Sequence, residues 1–234
     1  MLEIEENTIE VVEMERHPVV DTALEILTYR FSTIPERPEY DEYRASTLSN
    51  MAILEQGRPA TLARKMLGHL SEGLFLAACR ANLPTEISIS NAQEDMQGVD
   101  FFLGSARRKI DVTTNPGKYP SKMFNKDKTT IILPPSRELI RHLLEENGAF
   151  DTQQYLLDIF ELNMDILNNR YPQFQILLAT RAKKRNSFNE VVSRGYKKRN
   201  QHINPSGHRE KVYMKKAQYQ QMIDTLSILK NFPT

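Results

Sequence analysis

A chain of 234 residues, 40% hydrophobic and 26% charged, is long enough for one large domain or a core with appendages, at about 150 residues per domain, and has the composition of an ordinary globular protein. Its single cysteine excludes a disulfide framework and a thiolate zinc site, and no apolar run approaches the ~20 residues of a membrane span. The acidic N-terminus lacks the basic and apolar regions of a secretory signal, so a reducing, cytoplasmic setting is expected.

The balance of 31 basic against 30 acidic side chains hides a polarity along the chain. Residues 1–60 carry thirteen acids and five basic residues, whereas residues 181–216 carry twelve Lys or Arg against Glu190 and Glu210. A basic segment of that density is an electrostatic footprint for phosphates. A solvated face, or a segment that neutralises the acidic N-terminus of the same or a neighbouring subunit, would share its composition.

Residues 1–15 fit a strand or a short helix equally. In residues 18–31 the spacing of Val20, Ala23, Leu24, Leu27 and Phe31 predicts a helix, ended by the Ile34-Pro35 and Arg37-Pro38 pairs. A second helical stretch runs through residues 40–57 with Leu48, Met51 and Leu54. Residues 61–82 then read as a helix with Leu62, Met66, Leu70, Leu74, Leu76 and Ala77 apolar and one acid, Glu72, in its middle. Residues 86–90 alternate as a strand, and residues 91–98 read as a loop that brings Glu94 and Asp95 just ahead of Asp100.

Residues 99–103 and 109–114 predict two short strands joined by a turn at Gly104 and Ser105, since Gly tolerates positive φ and Ser can bond its own backbone. Each strand carries one carboxylate, Asp100 and Asp111, among Val99, Phe101, Phe102, Ile110 and Val112. Two negative charges on a half-buried hairpin repel each other and are poorly solvated, a cost that a divalent cation would relieve.

A helix with a central Glu, then a strand ending near Gly-x-Asp, then a strand with an acid in an apolar run together resemble the PD-(D/E)xK nuclease superfamily, over roughly residues 60–135. The resemblance implies a restriction-endonuclease-like α/β fold, a central mixed sheet flanked by helices. It further implies Mg²⁺ bound by Glu72, Asp100 and Asp111, with a lysine two residues after the second acid orienting or activating the attacking water. At that position this chain has Thr113. Lys109 shares the strand face of Asp111 one pleat away, about 7 Å along the strand, and is the expected substitute; Lys118 and Lys122 in the following loop are others.

That loop also holds Lys126 and Lys128 and is placed to meet a phosphate backbone. Residues 129–133 read as a buried strand stopped by Pro134-Pro135, with Ser136 as the cap of a helix through Leu139, Leu143 and Leu144 that Gly148 ends. Residues 152–168 predict an apolar-striped helix and residues 174–179 a buried strand. Beyond them Ser187 would cap a basic helix, and a last amphipathic helix carries Tyr219, Met222, Ile223, Leu226 and Leu229. His202 and His208 around Asn204 raise a His-Asn-His site, which lacks a strand-turn-helix context and a zinc framework.

The expected organisation is a helical N-terminal region over residues 1–58, a nuclease-like α/β core over 59–180 and a basic nucleic-acid-binding region over 181–234. The expected function is a Mg²⁺-dependent endonuclease of double-stranded DNA, acting as a homodimer without membrane contact. Asp100, Asp111, Glu72, Lys109 and Thr113 would form its site, and Lys118, Lys122, Lys183, Lys184, Arg185, Lys197, Lys198 and Arg199 would hold the backbone. The rival readings are a DNA- or RNA-binding protein on the same scaffold that does not cleave, and an assembly protein whose acidic region docks on the basic region of a neighbour.

Overall fold

The structure is a computed structural model that describes residues 16–114, 128–134, 137–146, 148–168, 174–179 and 210–230, with backbone alone for 174–179 and 210–218. Helix α1, Pro18–Ser32, begins where Pro18 presets the backbone and the His17 ring accepts from the Val19 N–H at 3.1 Å. It buries Val19, Val20, Ala23, Ile26 and Leu27. A 3₁₀ turn at Pro38–Tyr40 leads into α2, Asp41–Gln56.

The helix expected over 61–82 is two helices, α3 (Pro59–Lys65) and α4 (Leu67–Asn82), broken at Met66 with φ −107° and ψ 15°. The break separates two packing tasks: α3 lies against α6 (Arg137–Glu146), and α4 against α1 and α7 (Thr152–Leu167). Gly73 makes the α1–α4 approach possible, because a Cβ there would stand 2.9 Å from the Val19 carbonyl oxygen.

Strands β1 (Ile87–Ile89), β2 (Phe101–Leu103), β3 (Arg108–Thr113) and β4 (Thr129–Ile132) form a mixed sheet in the order β1-β2-β3-β4. The first two pairings are antiparallel and β3–β4 is parallel. The β2–β3 turn uses positive φ at Gly104 (71°) and Arg107 (46°). Between β1 and β2 the expected loop contains a short helix, α5 (Ala92–Met96), held by a capping box in which Asn91 and Glu94 bond each other's backbone N–H.

Leu70, Leu74 and Phe75 of α4 pack with Phe101, Ile110 and Ile131 of the sheet in one core that also takes Leu156, Ile159 and Ile166 of α7. Phe75 and Phe101 meet with ring centroids 5.5 Å apart. A second, parallel pair joins β5 (Phe174–Ala179) to β6 (Glu210–Lys215), a strand that the alternation of the sequence does not announce. Helix α8, Lys216–Lys230, adds Met222, Leu226 and Leu229 to the core. The molecule is thus an α/β protein with a four-stranded mixed sheet flanked by helices. No helix among the described residues is long and apolar enough to cross a membrane.

Candidate functional site

The antiparallel register that pairs Phe101 with Ile110 sets Asp100 beside Asp111 on the next rung. Alternation sends Phe101, Ile110 and Val112 into the core and the two acids to the opposite face. Both carboxylates are nonetheless buried, at 8% and 1% exposure. The Asp100 carboxylate accepts from the Val112 N–H at 2.6 Å, and Asp111 accepts from the Thr130 hydroxyl at 3.1 Å.

Arg30, from the last turn of α1, lies 2% exposed at the centre of the remaining acids. Its guanidinium reaches Glu72 at 2.9 Å, Asp95 at 3.0 Å and Asp100 at 3.6 Å. The Tyr43 hydroxyl of α2 donates to the second oxygen of Asp95 at 2.7 Å. Burial, then the charges of Glu72 and Asp111, push the Asp100 carboxyl well above the usual carboxylate range, against the opposing pull of Arg30 and the Val112 N–H. Burial likewise raises the Asp95 carboxyl, opposed by Arg30 and the Tyr43 bond, and burial beside Asp95 raises the Tyr43 phenol.

Among the described residues a lysine that meets Asp111 is Lys128, on the residue before β4, with its ammonium 3.6 Å from the Asp111 carboxylate and its side chain 8% exposed. The same ammonium donates to the carbonyls of Gly98 at 2.6 Å and Gln97 at 3.2 Å. Lys109 does share the strand face of Asp111, but it is exposed and stands across from Phe102, over whose ring Arg107 lies at 4.1 Å. Thr113 is half-buried at the end of β3. Lys118, Lys122, Lys183, Lys184, Arg185, Lys197, Lys198 and Arg199, with Ser136, Ser187 and the His202–His208 pair, lie outside the described residues.

The fold therefore gathers Glu72 and Asp100 around Arg30, with Asp111 adjacent, and adds three residues that sequence reasoning placed elsewhere or passed over: Arg30, Tyr43 and Lys128. Arg30 stands one turn beyond Ile26 and Leu27 of the apolar stripe, a position that signals its burial only once the acids of α4 and β2 are known to converge there. Glu94, by contrast, is engaged in the capping box.

Four buried or half-buried carboxylates (Glu72, Asp95, Asp100 and Asp111) face two organic cations, Arg30 and Lys128. Fully ionised, these six residues carry a formal excess of two negative charges, which a proton on Asp100 reduces and one divalent cation would cancel. In donor chemistry the set suits a hard, oxygen-seeking ion such as Mg²⁺. In geometry the guanidinium holds the meeting point of three of the acids, and among the described residues no three His, Cys, Asp or Glu side chains converge on a point that a metal ion could take.

Comparison with protein-family models, with curated proteins and with solved structures finds no match to this chain.

Proposed function

We propose that this chain is a Mg²⁺-dependent endonuclease of double-stranded DNA with a restriction-endonuclease-like core, working as a homodimer. The observation that carries the reading is the pair Asp100 and Asp111, buried side by side, one on the residue before β2 and the other on β3. Its context supports it: a helix bearing Glu72, then an antiparallel strand, then the hairpin of the two acids, then a strand parallel to the second. The helix with Glu72 ahead of the two acids is the order the resemblance implies.

Asp100 and Asp111 would hold the ion, with Glu72 completing its shell once the Arg30 contact is exchanged for it. A bound Mg²⁺ would supply charge stabilisation at the phosphoryl oxygens and a more acidic water. The chain's own part is orientation. The Val112 N–H and the Thr130 hydroxyl each fix one aspartate oxygen, and the basic residues at Lys118, Lys122 and residues 183–199 would hold the phosphate backbone by counterion release.

The test is cleavage of long double-stranded DNA by the full chain, with and without Mg²⁺, beside Asp111→Ala. Metal-dependent products are expected from the native protein. The variant should cut at least about a hundredfold more slowly, the loss of some 3 kcal/mol of barrier lowering, while binding DNA as well or better because a negative charge near phosphate is gone. Failure of the native protein to cut diverse DNA with Mg²⁺ or Mn²⁺ would overturn the proposal. Two observations, Thr113 in the lysine position and the guanidinium among the acids, favour the second reading in that event: a nucleic-acid-binding protein without cleavage, whose affinity does not respond to Mg²⁺.

A further inference from the structure

We propose that the turn of the β2–β3 hairpin is a phosphate clamp, in which Arg107 and Lys109, beside the Phe102 ring, hold the backbone of duplex DNA next to the two acids. The inference rests on the DNA-binding part of the function proposed above and deepens it. The hairpin register supplies the geometry. Asp100 and Asp111 share one rung, and Phe102 and Lys109 are the cross-strand pair one pleat nearer the turn, about 7 Å along the strands. Side chains two residues apart share a face, so Phe102 and Lys109 lie on the face of the acids, whereas the core on the other face takes Phe101, Leu103, Ile110 and Val112. The Arg107 guanidinium lies over the Phe102 ring, 4.1 Å from its centroid, and so belongs to the same face.

Both side chains are exposed, and no carboxylate among the described residues is within ion-pair distance of either. A guanidinium stacked on a ring uses its flat face and leaves the N–H groups around its edge to donate, which is how arginine grips a phosphate bidentately. The ring also fixes the side chain in advance, so less rotamer freedom is lost on binding.

The backbone singles out the same residue. Arg107 has φ +46°, in the left-handed region that suits Gly or Asn and that other residues enter at a cost. Its N–H closes the turn on the Gly104 carbonyl at 2.9 Å. Strain of this kind held at an exposed turn points to a task for the side chain. Arg108, paired with Leu103, belongs to the opposite face and is no part of the clamp. With one pleat between clamp and acids, the phosphate that Arg107 holds lies about one or two nucleotides from the phosphate opposite Asp100 and Asp111.

Binding of a fluorescent DNA duplex by the full chain in EDTA tests this, with native protein, Arg107→Gly, Lys109→Ser and Arg108→Ser. Arg107→Gly should bind about tenfold more weakly, the worth of a charge-assisted hydrogen bond. Its slope of log affinity against log salt should be shallower by about 0.9, and that of Lys109→Ser by the same amount. Its melting temperature should stay within about 3 °C of native, because glycine relieves the left-handed backbone as the ring contact is lost. Arg108→Ser should stay within about twofold of native affinity. Native affinity and slope in Arg107→Gly, or a loss confined to Arg108→Ser, would overturn the clamp and leave the nuclease reading intact. Weakened binding by Arg107→Gly, together with no cutting by native protein once Mg²⁺ is supplied, supports the clamp and overturns the nuclease reading. A native protein that binds no DNA overturns both. Should Arg107→Gly fail to fold, Arg107→Asn, which also accepts the left-handed backbone, carries the same decision.

Discussion

At the scale of single residues the site is a contest between burial and charge, and Asp100 is where it is closest to balance. A carboxyl whose folded-state pKa lies above its unfolded value binds a proton more readily in the native protein, so between those two values stability falls as pH rises. The unfavourable contribution is fully present above the folded pKa and is relieved as pH drops through it. Asp100→Asn replaces the ionised form by a neutral amide that still accepts from the Val112 N–H. The expected outcome is a higher melting temperature than native at pH 8, with the gap narrowing as the pH is lowered. A gap that is independent of pH would show that Arg30 already neutralises Asp100 in full. The two aspartates were legible in the sequence because an acid inside an apolar strand is rare and conspicuous. Arg30 was not: its partners Glu72 and Asp100 lie 42 and 70 residues away, and a single arginine near the end of a helix is ordinarily solvated. Lys128 was misplaced for the opposite reason, since it stands in a lysine-rich loop whose composition reads as surface, and only the parallel pairing of β4 turns it inward.

At the scale of elements the sheet is finished by side chains as well as by strands. β4 closes one side of the four-stranded sheet, and Asn163 of α7, fully buried, serves as its missing neighbour. Its side-chain oxygen accepts from the Ile132 N–H at 3.0 Å, while its amide nitrogen donates to the Ile132 carbonyl at 2.8 Å and to the Ile159 carbonyl at 2.7 Å. One amide thus reproduces the donor-and-acceptor pairing of a strand residue. Asn163→Leu keeps the volume and strands both Ile132 groups in an apolar setting, at about 1–3 kcal/mol each. A loss of about 2–5 kcal/mol is expected, seen as a lower urea midpoint with unchanged slope; a loss under about 0.5 kcal/mol, the usual range of a surface change, would mean that water replaces the amide. Periodicity located α1, α2, α7 and α8 and the strands β1 to β5 because each repeats one apolar spacing over its length. It missed what depends on a partner. The break at Met66 exists because α3 and α4 pack on different helices, and β6 finds its pairing with β5 more than thirty residues earlier. The Asn91-x-x-Glu94 capping box of α5 was readable and was overlooked, because a helix of five residues is too short to show a period.

At the scale of the whole molecule the charge map sets how the chain meets a polyanion. The excess of eight negative charges over residues 1–60 and of ten positive charges over residues 181–216 nearly cancel in the total of +1. DNA would therefore meet a chain that is nearly neutral in total but carries its acidic and basic excesses in separate stretches of sequence, with charges screened beyond a Debye length, about 8 Å at physiological salt. Attraction should come from Lys118, Lys122 and the basic segment and fade quickly with ionic strength. If Lys183, Lys184 and Arg185 each neutralise a phosphate, replacing all three by Ser should reduce the slope of log affinity against log salt by roughly 2.7, at ~0.9 per contact on duplex DNA. Titrations of native and triple-variant protein between 50 and 200 mM salt, a range over which such contacts change affinity by orders of magnitude, read that slope directly. An unchanged slope would remove these residues from the contact surface. If DNA then binds neither protein, and rising salt instead separates a native oligomer, the basic segment is occupied by the acidic region of another copy: the same two charges would be matched to each other, and the buried acids of β2 and β3 would need a partner other than DNA.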